Sequence, residues 1–174
     1  MTVAVSISVS SPGWRRRGLK PAATARRAAR AALAEDVGLP RGRWEISLLL
    51  ADDATVRGLN ARWRSRDQPT NVLAFAARER PAPSVPDATM PLGDVVLAYE
   101  TMAAEARAQG KPLPHHLSHL VIHGVLHLLG FDHERPAEAR RMERLEVSAL
   151  ARLGFADPYA PSQAGDRFAP QVAR

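Results

Sequence analysis

HGVLHLLGFDH, residues 123–133, lies at the end of a strongly apolar helical segment. The segment from His115 to Leu129 carries apolar residues around much of its circumference, and a helix of that kind belongs in a core. Gly130 then ends the helix, because glycine adopts a positive φ without a Cβ penalty. The sequence therefore predicts a buried central helix, followed by a turn that brings in His133.

Three histidines in this stretch are spaced as metal ligands. His123 and His127 are four residues apart, which places them on one face of a helix with Cβ atoms about 5–6 Å apart. Both imidazoles can then reach one zinc ion at about 2.0–2.1 Å, and His133 approaches it from a third direction. Three protein ligands leave a fourth position for water. The spacing predicts one zinc ion per chain on these three histidines.

The remaining histidines of the chain, His115, His116 and His119, lie upstream on the same predicted helix. His119 and His123 are also four apart, but no third ligand follows them at a suitable turn. We therefore do not assign these three to the metal. His119 is a candidate for holding one of the ligands in place.

Gly124 separates two kinds of zinc chemistry. The spacing H-x-x-x-H-x-x-G-x-x-H is also that of metzincin proteases, which carry a glutamate directly after the first histidine as the general base. Glycine at that place can move no proton, so peptide hydrolysis by that mechanism is disfavoured. Phosphodiester cleavage can use such a site when a cationic side chain stabilises the developing charge.

Composition limits the class of protein. The chain has 174 residues, enough for a single domain, and 45% of them are hydrophobic. Cysteine is absent, which excludes disulfides and thiolate zinc sites. No apolar run is long enough to span a membrane, and the N-terminus does not resemble a secretory signal. We therefore expect a cytoplasmic protein.

Charge indicates a polyanionic partner. The formal net charge is +6, and only two of the 24 basic residues are lysines. Arginine presents a planar fork suited to phosphate, so nucleic acid is the leading candidate, although a genome rich in G and C also favours arginine over lysine. The sequence shows no interleaved aromatic residues of the RNA-recognition-motif type.

Hydrophobic periodicity predicts a layered α+β domain over residues 1–154, with a small mixed sheet of about four strands packed against helices. Strands are predicted at 3–9, 44–51, 71–76 and 95–99, the third of them at a sheet edge. Helices are predicted at 22–37, 53–63, 100–109, 115–129 and 137–153. Irregular structure is predicted for the basic cluster 15–17, the proline-rich loop 80–91 and a poorly ordered tail, 155–174.

These residues carry a resemblance to a known family. HGVLHLLGFDH resembles the H-G-x-L-H-L-x-G-[YF]-D-H signature of the YbeY family of bacterial endoribonucleases. Further blocks resemble the same family in the same order: Leu59-Asn60-x-x-Trp63-Arg64, Asp67-x-Pro69-Thr70-Asn71-Val72-Leu73-Ala74-Phe75, Leu92-Gly93-Asp94-Val95 and Met142-Glu143-Arg144-Leu145-Glu146. Two positions depart from the family pattern, since Asn71 stands where aspartate is usual and Ala74 where serine is usual.

The resemblance implies zinc on His123, His127 and His133. It implies a zinc-dependent endoribonuclease that acts on single-stranded RNA in ribosomal RNA maturation, including the 3′ end of 16S rRNA, and in ribosome quality control. The implied partners are the small ribosomal subunit and its proteins or assembly factors. Arg64 is the family's characteristic arginine and is predicted as the catalytic cation, because a guanidinium suits a phosphate oxygen.

Alternatives remain open at this point. The chain has no obvious general base, which also fits an RNA-binding or ribosome-binding assembly factor whose zinc is mainly structural. A metallopeptidase is the third possibility, opposed by Gly124. Asp132 can either orient an imidazole or cap a turn, and Glu146 is interpreted as a structural partner rather than a base. Further interpretations concern single residues: Asp94 serves the fold or the site, Glu143 lies on an exposed face, and Thr70 and Asn71 line the cleft.

Overall fold

A four-stranded mixed sheet lies at the centre of the fold. The computed structural model describes residues 2–15, 18–35, 37–39, 42–77 and 88–160. The strands are β1 (Thr2–Val9), β2 (Arg43–Ala51), β3 (Val72–Ala76) and β4 (Thr89–Ala98), in the spatial order β1-β2-β4-β3. The pairs β1–β2 and β2–β4 are parallel, and β3 runs antiparallel to β4 at the edge. The predicted fold class and the predicted edge strand are both confirmed.

Five α-helices accompany the sheet in the described part of the chain. They are α1 (Pro21–Leu33), α2 (Asp53–Arg64), α3 (Tyr99–Ala108), α4 (Leu113–Leu128) and α5 (Pro136–Arg152). Every residue of α4 from His115 to Leu126 is buried, as its apolar circumference predicts. No helix in the described ranges is both long and apolar enough to cross a bilayer.

The close approach of α4 to the sheet occurs at Gly124. An ideal Cβ at this position would lie 2.6 Å from Cγ1 of Val95 and 3.4 Å from Cγ2 of Val72. Glycine therefore lets the helix backbone lie directly on β3 and β4. A glutamate at this position would not fit, which removes the general base of a metzincin on steric grounds as well.

The opposite face of the sheet holds α2. A second small core lies beneath this helix, built from Ala51, Val56, Leu73, Val96 and Ala98. Asp52 is the N-cap of α2, since its Oδ1 accepts a hydrogen bond from the backbone N–H of Thr55 at 2.8 Å. That bond holds the pKa of the Asp52 carboxyl below its usual value. The cap fixes where α2 starts, and Arg64 is the last residue of this helix.

Two predicted boundaries are wrong. β4 begins at Thr89 rather than 95, because Pro91 and Gly93 interrupt the sequence pattern from which a strand is predicted. β3 pairs with β4 only from Gly93 onward, so Pro91 lies beyond that ladder, and the register against β2 shifts at the same place. Helix α1 ends at Leu33 rather than 37, because the chain turns after Ala34 and packs Val37 against the core.

Several predicted irregular regions fall outside the described residues. These are Arg16 and Arg17 of the basic cluster, residues 80–87 of the proline-rich loop and residues 161–174 of the tail. Residues 155–160 are described and extend the packing past α5. Phe155 stacks on His115 with ring centroids 4.8 Å apart, and Pro158 is buried.

Candidate metal centre and adjoining cavity

The three predicted ligands meet at the C-terminal end of α4. Their candidate ligand nitrogens, from His123, His127 and His133, all lie within 4.8 Å of one another. The Nε2 atoms of His123 and His127 are 3.0 Å apart. Two nitrogens bound to one tetrahedral zinc ion lie about 3.3 Å apart, so the arrangement fits a single ion. This group of histidines could bind a metal.

His133 reaches the cluster from the turn that Gly130 begins, with φ +92° at that glycine. Burial, followed by the nearby His123, lowers the pKa of the His133 imidazole, which favours the neutral form that metal binding requires. Its Nε2 is buried and has no hydrogen-bond partner in the part of the chain that the structure describes. An orphaned buried nitrogen facing two other imidazoles is the environment that a metal ion would satisfy.

A buried carboxylate orients His123, the first of the predicted ligands. Oε1 of Glu146, on α5, lies 2.5 Å from Nδ1 of His123, and its Oε2 lies 3.1 Å from Nε2 of His119. Burial alone would raise the pKa of the Glu146 carboxyl, but His123 and His119 outweigh it and hold that pKa well below its usual range. The carboxylate therefore accepts the Nδ1 proton of His123. The lone pair of the His123 Nε2 is then directed at the other two predicted ligands.

Glu146 has a third partner that the sequence did not reveal. The hydroxyl of Tyr159 donates a hydrogen bond to its Oε2. Burial and the nearby Glu146 carboxylate raise the pKa of the Tyr159 hydroxyl, so this group stays protonated. Tyr159 lies in the segment predicted as tail, and a single tyrosine after a glycine-terminated helix has no spacing that predicts this contact.

A cavity of about 1010 Å³ adjoins the histidine cluster on the side of His127. His127 lines it from α4, Arg64 from α2, and Asp132 from the turn after α4. Nη2 of Arg64 donates a hydrogen bond to the backbone oxygen of Ala74 at 3.4 Å, which directs the guanidinium along β3. The fold thus brings the predicted cation and a predicted metal ligand, 63 positions apart in the sequence, to the same cavity.

The acidic candidates have different surroundings. Oδ1 of Asp132 accepts a hydrogen bond from the backbone N–H of His133 at 2.6 Å, so it caps the turn as well as lining the cavity. Asp94 lines the cavity from β4. Glu143 is exposed on α5, as its position on the helix predicts.

Asn71 and Thr70 are buried, but the cavity lining does not include them among the residues described. Nδ2 of Asn71 donates to both carboxylate oxygens of Glu105 at 3.1 Å, and Oε2 of Glu105 lies 2.7 Å from Nε2 of His116. An aspartate at 71 would face that carboxylate with a like charge. The asparagine amide therefore suits Glu105 as a donor, and it lies in a hydrogen-bond chain that includes none of His123, His127 and His133.

A buried helix and the turn after it bring three histidines together beside a cavity that His127 and Arg64 line, which defines an α+β protein with a site able to hold a metal. The sequence profile described as Endoribonuclease YbeY matches residues 19–154. The chain belongs to the YbeY family.

Individual relatives agree with the profile. A protein named Endoribonuclease YbeY from Paramagnetospirillum magneticum is 53% identical over 161 residues, covering 91% of this chain and 97% of that protein. A protein of the same name from Azorhizobium caulinodans is 49% identical over 160 residues, covering 90% and 96%. A solution structure of a Thermotoga maritima protein matches with a TM-score of 0.53 at 21% identity, covering 94% of this chain and 99% of that one. That structure shows that the fold is shared.

Proposed function

We propose that this chain is a zinc-dependent endoribonuclease that cleaves single-stranded RNA in ribosomal RNA maturation. The relatives named for endoribonuclease activity support the reaction class. The observation that carries the proposal is the shared cavity, which places Arg64 alongside a histidine cluster fit for a metal. His123, His127 and His133 would hold the ion.

Zinc on three imidazoles supplies a Lewis acid and lowers the pKa of water into the neutral range. The side chains of the chain supply the remaining functions. Glu146 keeps the Nδ1 proton of His123 in place and so keeps Nε2 available. Arg64 donates from a planar fork to a non-bridging phosphate oxygen as negative charge develops there. Gly124 contributes packing and no proton transfer.

The same proposal includes the setting of the reaction. We infer a cytoplasmic protein whose domain spans residues 1–154 and whose RNA is presented by the small ribosomal subunit, with its proteins or assembly factors as partners. The proposal also includes a role in the 3′ end processing of 16S rRNA and in ribosome quality control, which the resemblance to the YbeY family implies.

Metal removal tests the proposal directly. The purified chain should contain about one zinc, cleave a single-stranded RNA, lose cleavage after chelation and regain it when zinc is restored. Chelation should also lower the melting temperature by about 5–15 °C, because a ligand present at 100 to 1,000 times its Kd stabilises the folded state by about 3–4 kcal/mol. RNA binding without metal-dependent turnover would instead favour an assembly factor with structural zinc. An unchanged melting curve after verified zinc loss would contradict the stabilising role.

Glu146→Gln tests how the carboxylate orients His123. Glutamine keeps the shape of the side chain but replaces the charged oxygen that accepts from Nδ1 of His123 with a neutral, weaker acceptor. We expect zinc affinity to fall by about 10- to 100-fold, measured by competition with a chromophoric chelator. Glu143→Gln, exposed on the same helix, is the matched control and should bind zinc as the wild type does. Equal affinity in the two variants would show that Glu146 does not orient a ligand.

A further inference from the structure

Three aromatic side chains from separate elements surround the cavity. Trp63 belongs to α2, Phe75 to β3, and Phe131 to the turn after α4, and all three line the cavity. The sequence gives no sign of this surface because its members are 12 and 56 positions apart. The fold nevertheless places them around one space that His127 also lines.

The guanidinium group of an arginine lies against each of these rings. Cζ of Arg62 lies 5.3 Å from the ring centroid of Trp63, Cζ of Arg64 lies 5.8 Å from that of Phe75, and Cζ of Arg141 lies 4.9 Å from that of Phe131. Aromatic faces beside guanidinium groups are the surface on which single-stranded nucleic acids bind, with bases on the rings and phosphates on the cations.

Trp63 is the most accessible of the three rings. Its side chain is 62% exposed, and among the residues described no other large hydrophobic side chain is exposed. Trp63 differs in this from Val56 and Asn60, which are the buried residues of α2. An indole held open to solvent at the rim of a cavity contributes little to the core and is available to a ligand.

We propose that Trp63 stacks an unpaired base of the RNA, next to the nucleotide whose phosphate Arg64 binds, with Phe75 and Phe131 forming the inner wall of the same subsite. This inference rests on the proposed function and adds a base-binding position to it. The net charge of +6 and the three arginines favour a polyanion over a protein partner on this surface. Asp94 and Asp132 also line the cavity, so the phosphates lie toward the arginines.

Tryptophan fluorescence isolates this position. Trp14 and Trp44 are buried, at 0% and 2% exposure, so a ligand that binds at the surface quenches Trp63 selectively. The probe is a 2′-O-methyl oligoadenylate of about eight nucleotides, a length within the site sizes of single-strand binders. An abasic oligonucleotide of the same length supplies the same phosphates without bases. We expect the oligoadenylate to quench emission and the abasic strand to bind about tenfold or more weakly.

Variants of the full chain complete the test, and their affinities are measured by the fluorescence anisotropy of an end-labelled oligonucleotide because they lack the Trp63 indole. Trp63→Ala should weaken oligoadenylate binding by about tenfold or more and leave abasic binding unchanged, whereas Trp63→Phe should stay within a few-fold of the wild type. The melting temperature of each variant checks folding. Equal affinity of Trp63→Ala and wild type for the oligoadenylate would overturn the proposal. The proposal would also be overturned if Trp63 emission did not respond to RNA but changed with protein concentration, since that would indicate a contact between protein chains.

The two proposals fail separately. Base-dependent quenching of Trp63 in a chain that never cleaves RNA supports the subsite and refutes the nuclease. Metal-dependent cleavage with identical kcat/KM for wild type and Trp63→Ala refutes the subsite and retains the nuclease.

Discussion

His127→Ala should yield a folded chain that neither retains zinc nor cleaves RNA. His127 is half-buried in the last turn of α4, and alanine is a strong helix former, so the helix should persist. Two imidazoles would remain, too few for a tetrahedral site with one open position. Because the ion supplies several kcal/mol to the reaction, we expect cleavage to fall by about a thousandfold or more.

The measurement pairs zinc content per chain with the rate of RNA cleavage. His115→Gln provides a matched control, since His115 lies on the same helix and stacks on Phe155 outside the ligand group. That variant should keep both its zinc and its activity. Cleavage by His127→Ala at the wild-type rate would point to a contaminating nuclease and end the assignment of these histidines.

Arg64→Ala should separate binding of the metal from stabilisation of the transition state. Arg64 lines the cavity but does not belong to the ligand group, so zinc content should stay at the wild-type level. Loss of a donor aimed at developing charge typically lowers kcat by about 10²- to 10³-fold, and we expect that range here. Arg64→Lys keeps the charge but loses the planar fork, so its activity should be intermediate.

Arg57→Ala is the control for this series. Arg57 lies on the same helix but is exposed and paired with Asp67 at 2.6 Å. It should cleave RNA like the wild type at moderate salt. A kcat for Arg64→Ala within twofold of the wild-type value would exclude the guanidinium from the chemistry and assign Arg64 to the fold.

The sequence alone predicted which three histidines come together and the class of fold. His123 and His127 share a helix face because of the 3.6-residue period, and Gly130 identifies where the chain turns, so both predictions depend on local geometry. Most helices were predicted within a few residues for the same reason. The predicted β4 is too short because the strand contains a proline and a glycine. A strand tolerates these residues only where the pairing of the adjacent strands allows it, and the local sequence pattern does not show that pairing.

Only the tertiary structure decided what surrounds these histidines. Glu146 was interpreted as a structural partner, and only the packing of α5 against α4 places it on Nδ1 of His123. The arginine-paired rings of Trp63, Phe75 and Phe131 form one surface for a similar reason. Spacing along one helix fixes which side chains share its face, whereas contacts between elements depend on sheet order and packing, which bring distant positions together through burial of apolar surface.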